Sequence, residues 1–352
     1  MKYPAVLPFS ELVNQLDRFD QIIDVRSPAE FALDHLPGAI NCPVLDDAER
    51  VLIGTMYKQI NAFEAKKSGA ALVAKNIGRH IEEQFLKCPR EWQPLVYCWR
   101  GGNRSGAMAL ILAKIGWPVV QLDGGYKAYR NHINDQLPTL VNSFQFRVVC
   151  GTTGSGKSRL LQTLHQRGAQ VLDLEQLAAH RGSVLGDLHS ESQPAQKAFE
   201  SAIWNTLRFF DPAKIVFIES ESKKVGNLRV PAELIDRMRT SECINLQAAT
   251  ELRVALLMQD YAHFIGHPEE LITRLDYLTA LHGKEKIRQW QELAARGAMP
   301  ELVRDLLASH YDPAYLRSIG RNFPQLVNTS TIDLPGISEQ DFERLADQLI
   351  AS

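Results

Sequence analysis

The strongest constraint on the fold is an apolar run, Phe144 to Cys150, followed directly by Gly151-Thr152-Thr153-Gly154-Ser155-Gly156-Lys157-Ser158, which satisfies G-x-x-x-x-G-K-[ST]. Such a loop belongs between the end of a buried strand and the first turn of a helix, where backbone N–H groups converge on phosphate oxygens. It predicts a parallel α/β sheet, with Lys157 to Gln166 as the next helix. Further strands are expected at Gln170 to Leu174, Lys214 to Ile218 and Cys243 to Leu246. From about residue 249 the pattern turns helical, best at Glu251 to Phe264, Lys284 to Arg296, Pro300 to Ser309 and Glu339 to Ile350.

A second loop of the same logic lies about fifty residues earlier, Cys98-Trp99-Arg100-Gly101-Gly102-Asn103-Arg104-Ser105. Strands are expected before it at Gln21 to Val25 and Pro94 to Tyr97, and after it at Val119 to Leu122. Ser105 to Ile115 reads as a helix stopped by Gly116 and Pro118. A cysteine on a strand-to-helix turn meets converging N–H groups and the positive end of a helix, a field that favours the thiolate. Gly101 and Gly102 let the backbone curl tightly, Arg100 and Arg104 add charge, and Arg104 can clamp an oxyanion in a bidentate way. A lone cysteine is ordinarily an inert core thiol. The loop argues against that reading for Cys98, whereas Cys150, at a strand end beside the other loop, reads as core.

With 352 residues, two domains are expected: 1–137, a linker at 138–143, and 144–352. No apolar run approaches the ~20 residues that span a bilayer, and the start shows no signal peptide, so a cytoplasmic protein without membrane contact is expected. Five scattered cysteines fit neither a disulfide framework nor a zinc site and suit a reducing compartment. The net charge of −2 neither advertises nor excludes RNA.

In the glycine-rich loop the amides of Gly151, Thr152, Gly154, Ser155 and Gly156 are expected around a diphosphate. Lys157 would neutralise it, and Ser158 is placed to hold Mg²⁺. Glu219 closes the run Ile215-Val216-Phe217-Ile218-Glu219, so it either faces Mg²⁺ or its water or is a plain strand-end carboxylate. Asp173 and Glu175 are weaker versions of the same signal. No guanine-recognition motif of the Asn-Lys-x-Asp kind appears, which argues against a GTPase. His263 and His267 are four apart, but Gly266 and Pro268 end the helix there, so capping or surface roles are expected rather than metal. Lys223, Lys224 and Arg229, and Lys284, Lys286 and Arg288, read as solvated faces, and Trp290 and Tyr311 as core rather than base-stacking platforms.

The first 137 residues resemble the rhodanese family through Asp24-Val25-Arg26-Ser27-Pro28-Ala29-Glu30-Phe31, His35-Leu36-Pro37-Gly38-Ala39-Ile40-Asn41, the cysteine loop and Leu122-Asp123-Gly124-Gly125-Tyr126. The resemblance implies that Cys98 carries transferable sulfur or selenium. It also places Asp24, Arg26 and Glu30 in a signature where an ion pair holding loops is at least as good a reading as direct catalysis. A cysteine with arginine six positions on also suits a cysteine phosphatase, but Tyr97 stands where such enzymes commonly have histidine.

A rhodanese domain followed by a P-loop domain and a helical tail resembles the bacterial tRNA 2-selenouridine synthase family. The likeness extends to Met56-Tyr57-Lys58, Phe63-Glu64-Ala65-Lys66-Lys67-Ser68-Gly69-Ala70 and Ala179-His180-Arg181-Gly182-Ser183. It implies a tRNA substrate with 2-thiouridine at the wobble position and no stable protein partner. It implies geranyl diphosphate and selenophosphate as co-substrates and no tightly bound cofactor. The implied sequence of steps is S-geranylation followed by replacement of the S-geranyl group by selenium. Other readings are a thiosulfate sulfurtransferase with a nucleotide-binding domain, an ATP-dependent RNA kinase or thiolase, and an RNA-binding module without catalysis.

Overall fold

The computed structural model describes residues 3–181, 192–329 and 331–352. Gly182 and Ser183 lie outside them. The chain divides into two compact units, Met1–Leu137 with Pro194–Asn205, and Pro138–Gln193 with Thr206–Ser352. Among the described residues no helix is long and apolar enough to cross a membrane.

The first unit is built on five parallel strands: β1 (Ala5–Leu7), β2 (Gln21–Asp24), β3 (Ala39–Asn41), β4 (Pro94–Tyr97) and β5 (Val120–Leu122), in the order β1-β5-β4-β2-β3. Ile23 on β2 is level with Ile40 on β3 and Val96 on β4. Ile23, Val25, Val96, Met108, Leu112, Trp92 and Trp117 share one core. The helix Gln196–Leu207 contributes to this unit as well. Its Trp204 is 2% exposed and meets Tyr129 edge-on at 6.0 Å, an apolar seat that holds residues 194–205 here although they lie late in the sequence.

In the second unit another parallel sheet comprises β6 (Gln145–Cys150), β7 (Gln170–Leu172), β8 (Ile215–Glu219), β11 (Glu242–Gln247) and β12 (Thr331–Asp333), in the order β12-β11-β6-β8-β7. A separate antiparallel pair, β9 (Lys224–Val225) and β10 (Leu228–Arg229), lies between β8 and β11 in sequence. The helix Lys157–Gln166 packs against the C-terminal helix Glu339–Ala351. A second core, with Phe264, Leu271, Leu275, Trp290 and Leu302, fills the helical part.

β4 and β6 are each the central strand of their sheets, and each delivers its loop at the carboxyl end, where open α/β sheets bind ligands. The α/β architecture with a helical C-terminal part is as expected, but several elements differ. Residues 138–142 of the expected linker belong to the helix Gly125–Asn142, which continues through Pro138. Ile133, Leu137 and Val141, four residues apart, are all buried. At about 1.5–3 kcal/mol for each buried side chain, that stripe outweighs the ~3 kcal/mol cost of an internal proline. The helix expected over Glu251 to Phe264 breaks at Tyr261 into Thr250–Asp260 and Ala262–Gly266, and the one at Lys284 begins earlier, at Thr279, with Gly283 as a kink at φ +79°.

Candidate functional site

The cysteine loop is shaped by glycines from two parts of the sequence. Gly101 has φ +63°, and a Cβ on it would lie 2.6 Å from Leu122 O. Gly102 instead has φ −95° and caps the helix Asn103–Ile115, so the tight curl falls on Gly101 alone. Gly125, at φ +56°, presses against the loop from outside. A Cβ there would meet Cys98 O at 2.3 Å and Gly101 N at 2.5 Å. The following amides, Tyr126 N and Lys127 N, donate to Cys98 O and Trp99 O at 2.8 and 3.0 Å. The Asp123-Gly124-Gly125 segment thus acts as a mould for the cysteine turn, a role its sequence signalled only as a motif.

Cys98 itself is 3% exposed, and Ser105 Oγ donates to its sulfur at 3.2 Å. Gln121 Nε2 donates to Ser105 Oγ at 3.1 Å and to Gly101 O at 2.6 Å. Neither Ser105 nor Gln121 was singled out for this role, because their sequence neighbourhood carries no sign of the contact. Arg100 and Asn103 are exposed at the rim. Arg104 is held by Glu30, its Nη1 donating to Oε2 at 2.8 Å, and Arg50 Nε stands 3.8 Å from the same oxygen. Burial pushes the Glu30 carboxyl up, but the Arg104 hydrogen bond and charge outweigh it and leave the group below the ordinary range.

Asp24 and Arg26 form a buried bidentate ion pair, with Arg26 Nη2 also donating to Asp34 O at 2.6 Å and its guanidinium 4.0 Å from the Tyr126 ring centre. These bonds tie the end of β2 to the segment before β3. The bonds of Asp24 and Arg26 thus join loops, and among the described residues no hydrogen bond or ion pair links either of them to Cys98.

In the second unit the glycine-rich loop has the strained turns that only glycine tolerates well. Gly151, Gly154 and Gly156 have φ of +158°, +77° and +90°, and a Cβ on Gly151 would collide with Leu246 O and Ser155 Oγ at 2.5 Å. Lys157 Nζ donates to Gly151 O at 2.7 Å and to Thr152 O at 3.3 Å. Burial lowers its pKa, against the pull of Glu175, Glu221 and Glu219. Gly151 N donates to Tyr315 Oη at 2.7 Å, and Arg253 Nε donates to Thr153 O while its other nitrogens clasp Asp312. Tyr315, Arg253 and Asp312 brace the loop from helices far along the sequence, beyond the reach of any local motif.

Four carboxylates gather beside Lys157. Ser158 Oγ donates to Glu175 Oε2 at 3.0 Å, and Glu175 N donates to Glu219 Oε1 at 2.8 Å. Glu219 is 2% exposed and its Oε2 has no hydrogen-bond partner among the described residues. Burial, then the charges of Asp173, Glu175 and Glu221, push its pKa well up. Glu221 is pushed up to about 7 by burial and Glu175. No three His, Cys, Asp or Glu side chains among the described residues assemble into a metal set. Mg²⁺ commonly takes one or two carboxylates together with water and substrate phosphate, so oxygens such as Ser158 Oγ, Glu175 and the unpartnered Glu219 Oε2 fit that manner of binding. Cys150 is fully buried, and its hydrogen bond with Cys243 and its burial raise the thiol far above the ordinary range, which agrees with a core role.

The loop opens into a cavity of about 1150 Å³. Its lining combines polar groups, among them Lys157, Ser158, Glu175, Glu221, Arg159 and His165, with an apolar set, Leu257, Met258, Phe264, Leu302, Val303 and Leu306, from the C-terminal helices. Tyr311, expected in the core, is half-buried and lines this space, whereas Trp290 is fully buried with Nε1 donating to Asp305. Lys286 and Arg288 are paired with carboxylates, as solvated faces would be. The helix ends at Gly266 between His263 and His267.

Residues 144–271 match a family described as the tRNA 2-selenouridine synthase AAA domain, and residues 9–132 match the rhodanese-like domain. A protein of Sulfurovum sp. (strain NBC37-1) named tRNA 2-selenouridine synthase is 30% identical over 340 residues, covering 87% of this chain and 90% of that one. A protein of the same name from Shewanella loihica is 30% identical over 351 residues, 92% of this chain and 93% of that one. Another, from Nitrosomonas eutropha, is 36% identical over 247 residues, a match spanning 68% of this chain and 62% of that protein.

Proposed function

The chain belongs to the tRNA 2-selenouridine synthase family, and on that premise we propose that it converts 2-thiouridine at the wobble position of tRNA to 2-selenouridine in two steps, S-geranylation and then selenation. The observation that carries the first step is the cavity's joint lining by the phosphate loop and apolar side chains. A diphosphate cradle opening directly onto an apolar wall suits an isoprenoid diphosphate, whose head is a polyanion and whose tail is hydrocarbon. A nucleoside would instead present a polar sugar to Leu257, Phe264 and Leu302.

In that step the thiocarbonyl sulfur forms a bond to C1 of the geranyl group as the C1–O bond breaks, pyrophosphate departs with the electron pair, and N3 loses its proton. Lys157 and the amides from Gly151 to Ser158 stabilise the charge that develops on the leaving group, where preorganised donors act most strongly. Lys157 must exchange its bonds to Gly151 O and Thr152 O for phosphate oxygens, and the gain of a counter-anion reverses the burial penalty on its ammonium. Mg²⁺, held through Ser158 and the neighbouring carboxylates, would supply further neutralisation of the diphosphate.

Alkylation turns a poor leaving group into a thiolate leaving group; in the second step the selenium of selenophosphate forms its bond to C2 as the C2–S bond breaks, the geranylthiolate departs and is protonated, and water cleaves the P–Se bond to release phosphate. Cys98 assists this delivery, on the turn moulded by Gly125 and with Ser105 donating to its sulfur. Arg104, paired with Glu30, and the exposed Arg100 draw the anionic donor toward the loop.

Nucleoside mass spectrometry of 2-thiouridine tRNA incubated with geranyl diphosphate, with and without selenophosphate, tests this reading. Geranylated nucleoside should form first and become 2-selenouridine when selenophosphate is added. Lys157→Ala should abolish the first conversion, and Cys98→Ala should spare it and block the second. Loss of both conversions in a folded Cys98→Ala protein would overturn this division of labour.

A further inference from the structure

Between β3 and β4 the helices Asp47–Gln59 and Ala62–His80 pack against each other as a hairpin. Its inner side is small and apolar, with Ala65 and Ile77 buried and Gly69 close enough to Ile53 that a Cβ would lie 3.4 Å from it. Its base is pinned: Asn76 Nδ2 donates to Val44 O at 3.1 Å and to Glu49 at 2.7 Å, and His80 Nε2 bonds Pro43 O at 2.9 Å. Arg50, in the first helix, reaches the Glu30 carboxylate that also receives Arg104 of the cysteine loop. The hairpin is therefore a braced platform joined through one carboxylate to the rim of the Cys98 site.

Its outer side does not match a merely solvated face. Tyr57, Ile60 and Phe63 are 56%, 63% and 71% exposed around the turn. From Tyr57 to Arg79 the chain carries Lys58, Lys66, Lys67, Lys75 and Arg79 against the single carboxylate Glu64, although the whole protein has a net charge of −2. Lys67 pairs with Glu64, while Lys58, Lys66, Lys75 and Arg79 are exposed and form no ion pair among the described residues. Lys75 and Arg79 are one turn apart on the same side of the second helix, whereas Lys66, nine residues before Lys75, lies on the opposite side.

Isolated exposed aromatic rings among unpaired cations are the means by which proteins hold single-stranded nucleic acid, cations on phosphates and rings on bases. We propose that the outer face of this hairpin binds the anticodon arm of the tRNA substrate, with Lys75 and Arg79 on backbone phosphates and Tyr57 and Phe63 stacking on unpaired loop bases. The proposal rests on the tRNA reading above and adds the surface. Charge complementarity to a polyanion favours RNA over a second copy of the chain. Besides Val51 and Leu52 on the first helix, the apolar groups the hairpin exposes are Tyr57, Ile60 and Phe63 at the turn, set singly among Lys58, Glu64 and Lys67, and rings flanked by cations favour RNA over a membrane.

Fluorescence anisotropy of the full chain with a labelled anticodon stem-loop, across roughly 50–200 mM salt, tests it. Lys75→Glu and Arg79→Glu should each weaken binding and lower the salt slope by about one. Tyr57→Ala and Phe63→Ala should weaken stem-loop binding about fivefold or more without affecting a duplex lacking the loop. All four positions are exposed, and unchanged thermal melting checks that the variants fold. If the wild-type protein binds the stem-loop and the variants bind it equally well, the hairpin assignment fails alone. If the variants lose binding only to vesicles of anionic phospholipid, the face is a membrane surface and the assignment is overturned. If the wild-type protein binds no tRNA at low salt, the tRNA reading fails and takes this one with it.

Discussion

The Ser105 hydroxyl donates to the Cys98 sulfur at 3.2 Å while accepting from Gln121 Nε2 at 3.1 Å. Gln121 occupies the acceptor side of the hydroxyl, which leaves its proton for the sulfur or for Gly102 O at 3.3 Å. A hydrogen bond to a charged acceptor is worth about 1.5–3 kcal/mol. Ser105→Ala should therefore slow alkylation of Cys98 by iodoacetamide at neutral pH by about tenfold or more, slow selenation similarly, and leave geranylation unchanged. An unaltered alkylation rate in the variant would show that the serine only packs.

The mould around the cysteine turn gives a sharper contrast. Gly38 and Gly125 both have positive φ, +74° and +56°, but a Cβ on Gly38 meets nothing within 4 Å whereas one on Gly125 would overlap Cys98 O and Gly101 N. Gly38→Ala bears only the backbone penalty, about 1–2 kcal/mol. Gly125→Ala must also displace the cysteine turn. Chemical denaturation should show a modest loss for the first and a several-fold larger one for the second. Selenation should survive only in the first.

The carboxylates beside Lys157 make the second unit less stable as pH rises. Glu221 moves from an ordinary 4.5 up to about 7 on folding, first through burial and then through the Glu175 charge, against Lys157. Between those values the folded protein binds more protons than the unfolded chain, so stability is full below about 4.5 and falls as pH climbs through 7. The loss is at most about 3 kcal/mol for this group. Asp173, Glu175 and Glu219 are raised as well and act in the same direction. In metal-free buffer the melting temperature should fall from pH 5 to pH 8, and Glu221→Gln should flatten that dependence and melt higher than wild type at pH 8. A variant no more stable than wild type at pH 8 would mean that Glu221 is well solvated.

Both loops were legible because their chemistry is local: eight consecutive residues specify each turn, and the strand before it is a short apolar run. Their placement on the central strands follows from the α/β alternation. The short edge strands Ala5–Leu7 and Thr331–Asp333 were not legible, since three residues carry no period. Nor were the braces. Tyr315 on Gly151 N and Asp312 on Arg253 lie about 160 residues or more from the loop they hold, and Ser201 meets Asp34 at 2.9 Å across 167 positions. Such contacts are set by packing of helices whose sequences read only as amphipathic. The apolar lining of the cavity is a case of the same kind, because Leu257, Phe264 and Val303 look like ordinary core positions until the helices are assembled.

That apolar lining also supplies a test of substrate length. Val303 is half-buried on the cavity wall, on the helix Met299–Leu306 rather than on the phosphate loop. Val303→Phe narrows the apolar lining, of which a ten-carbon tail needs more than a five-carbon tail. Each buried methylene contributes about 0.8 kcal/mol, so excluding even two or three from the wall costs roughly tenfold or more in affinity. The variant should raise the KM for geranyl diphosphate by about that factor while leaving inorganic pyrophosphate inhibition unchanged, and dimethylallyl diphosphate should gain relative to geranyl diphosphate as the alkyl donor. Equal loss for both donors would place the tail elsewhere and leave the cavity wall with a packing role alone.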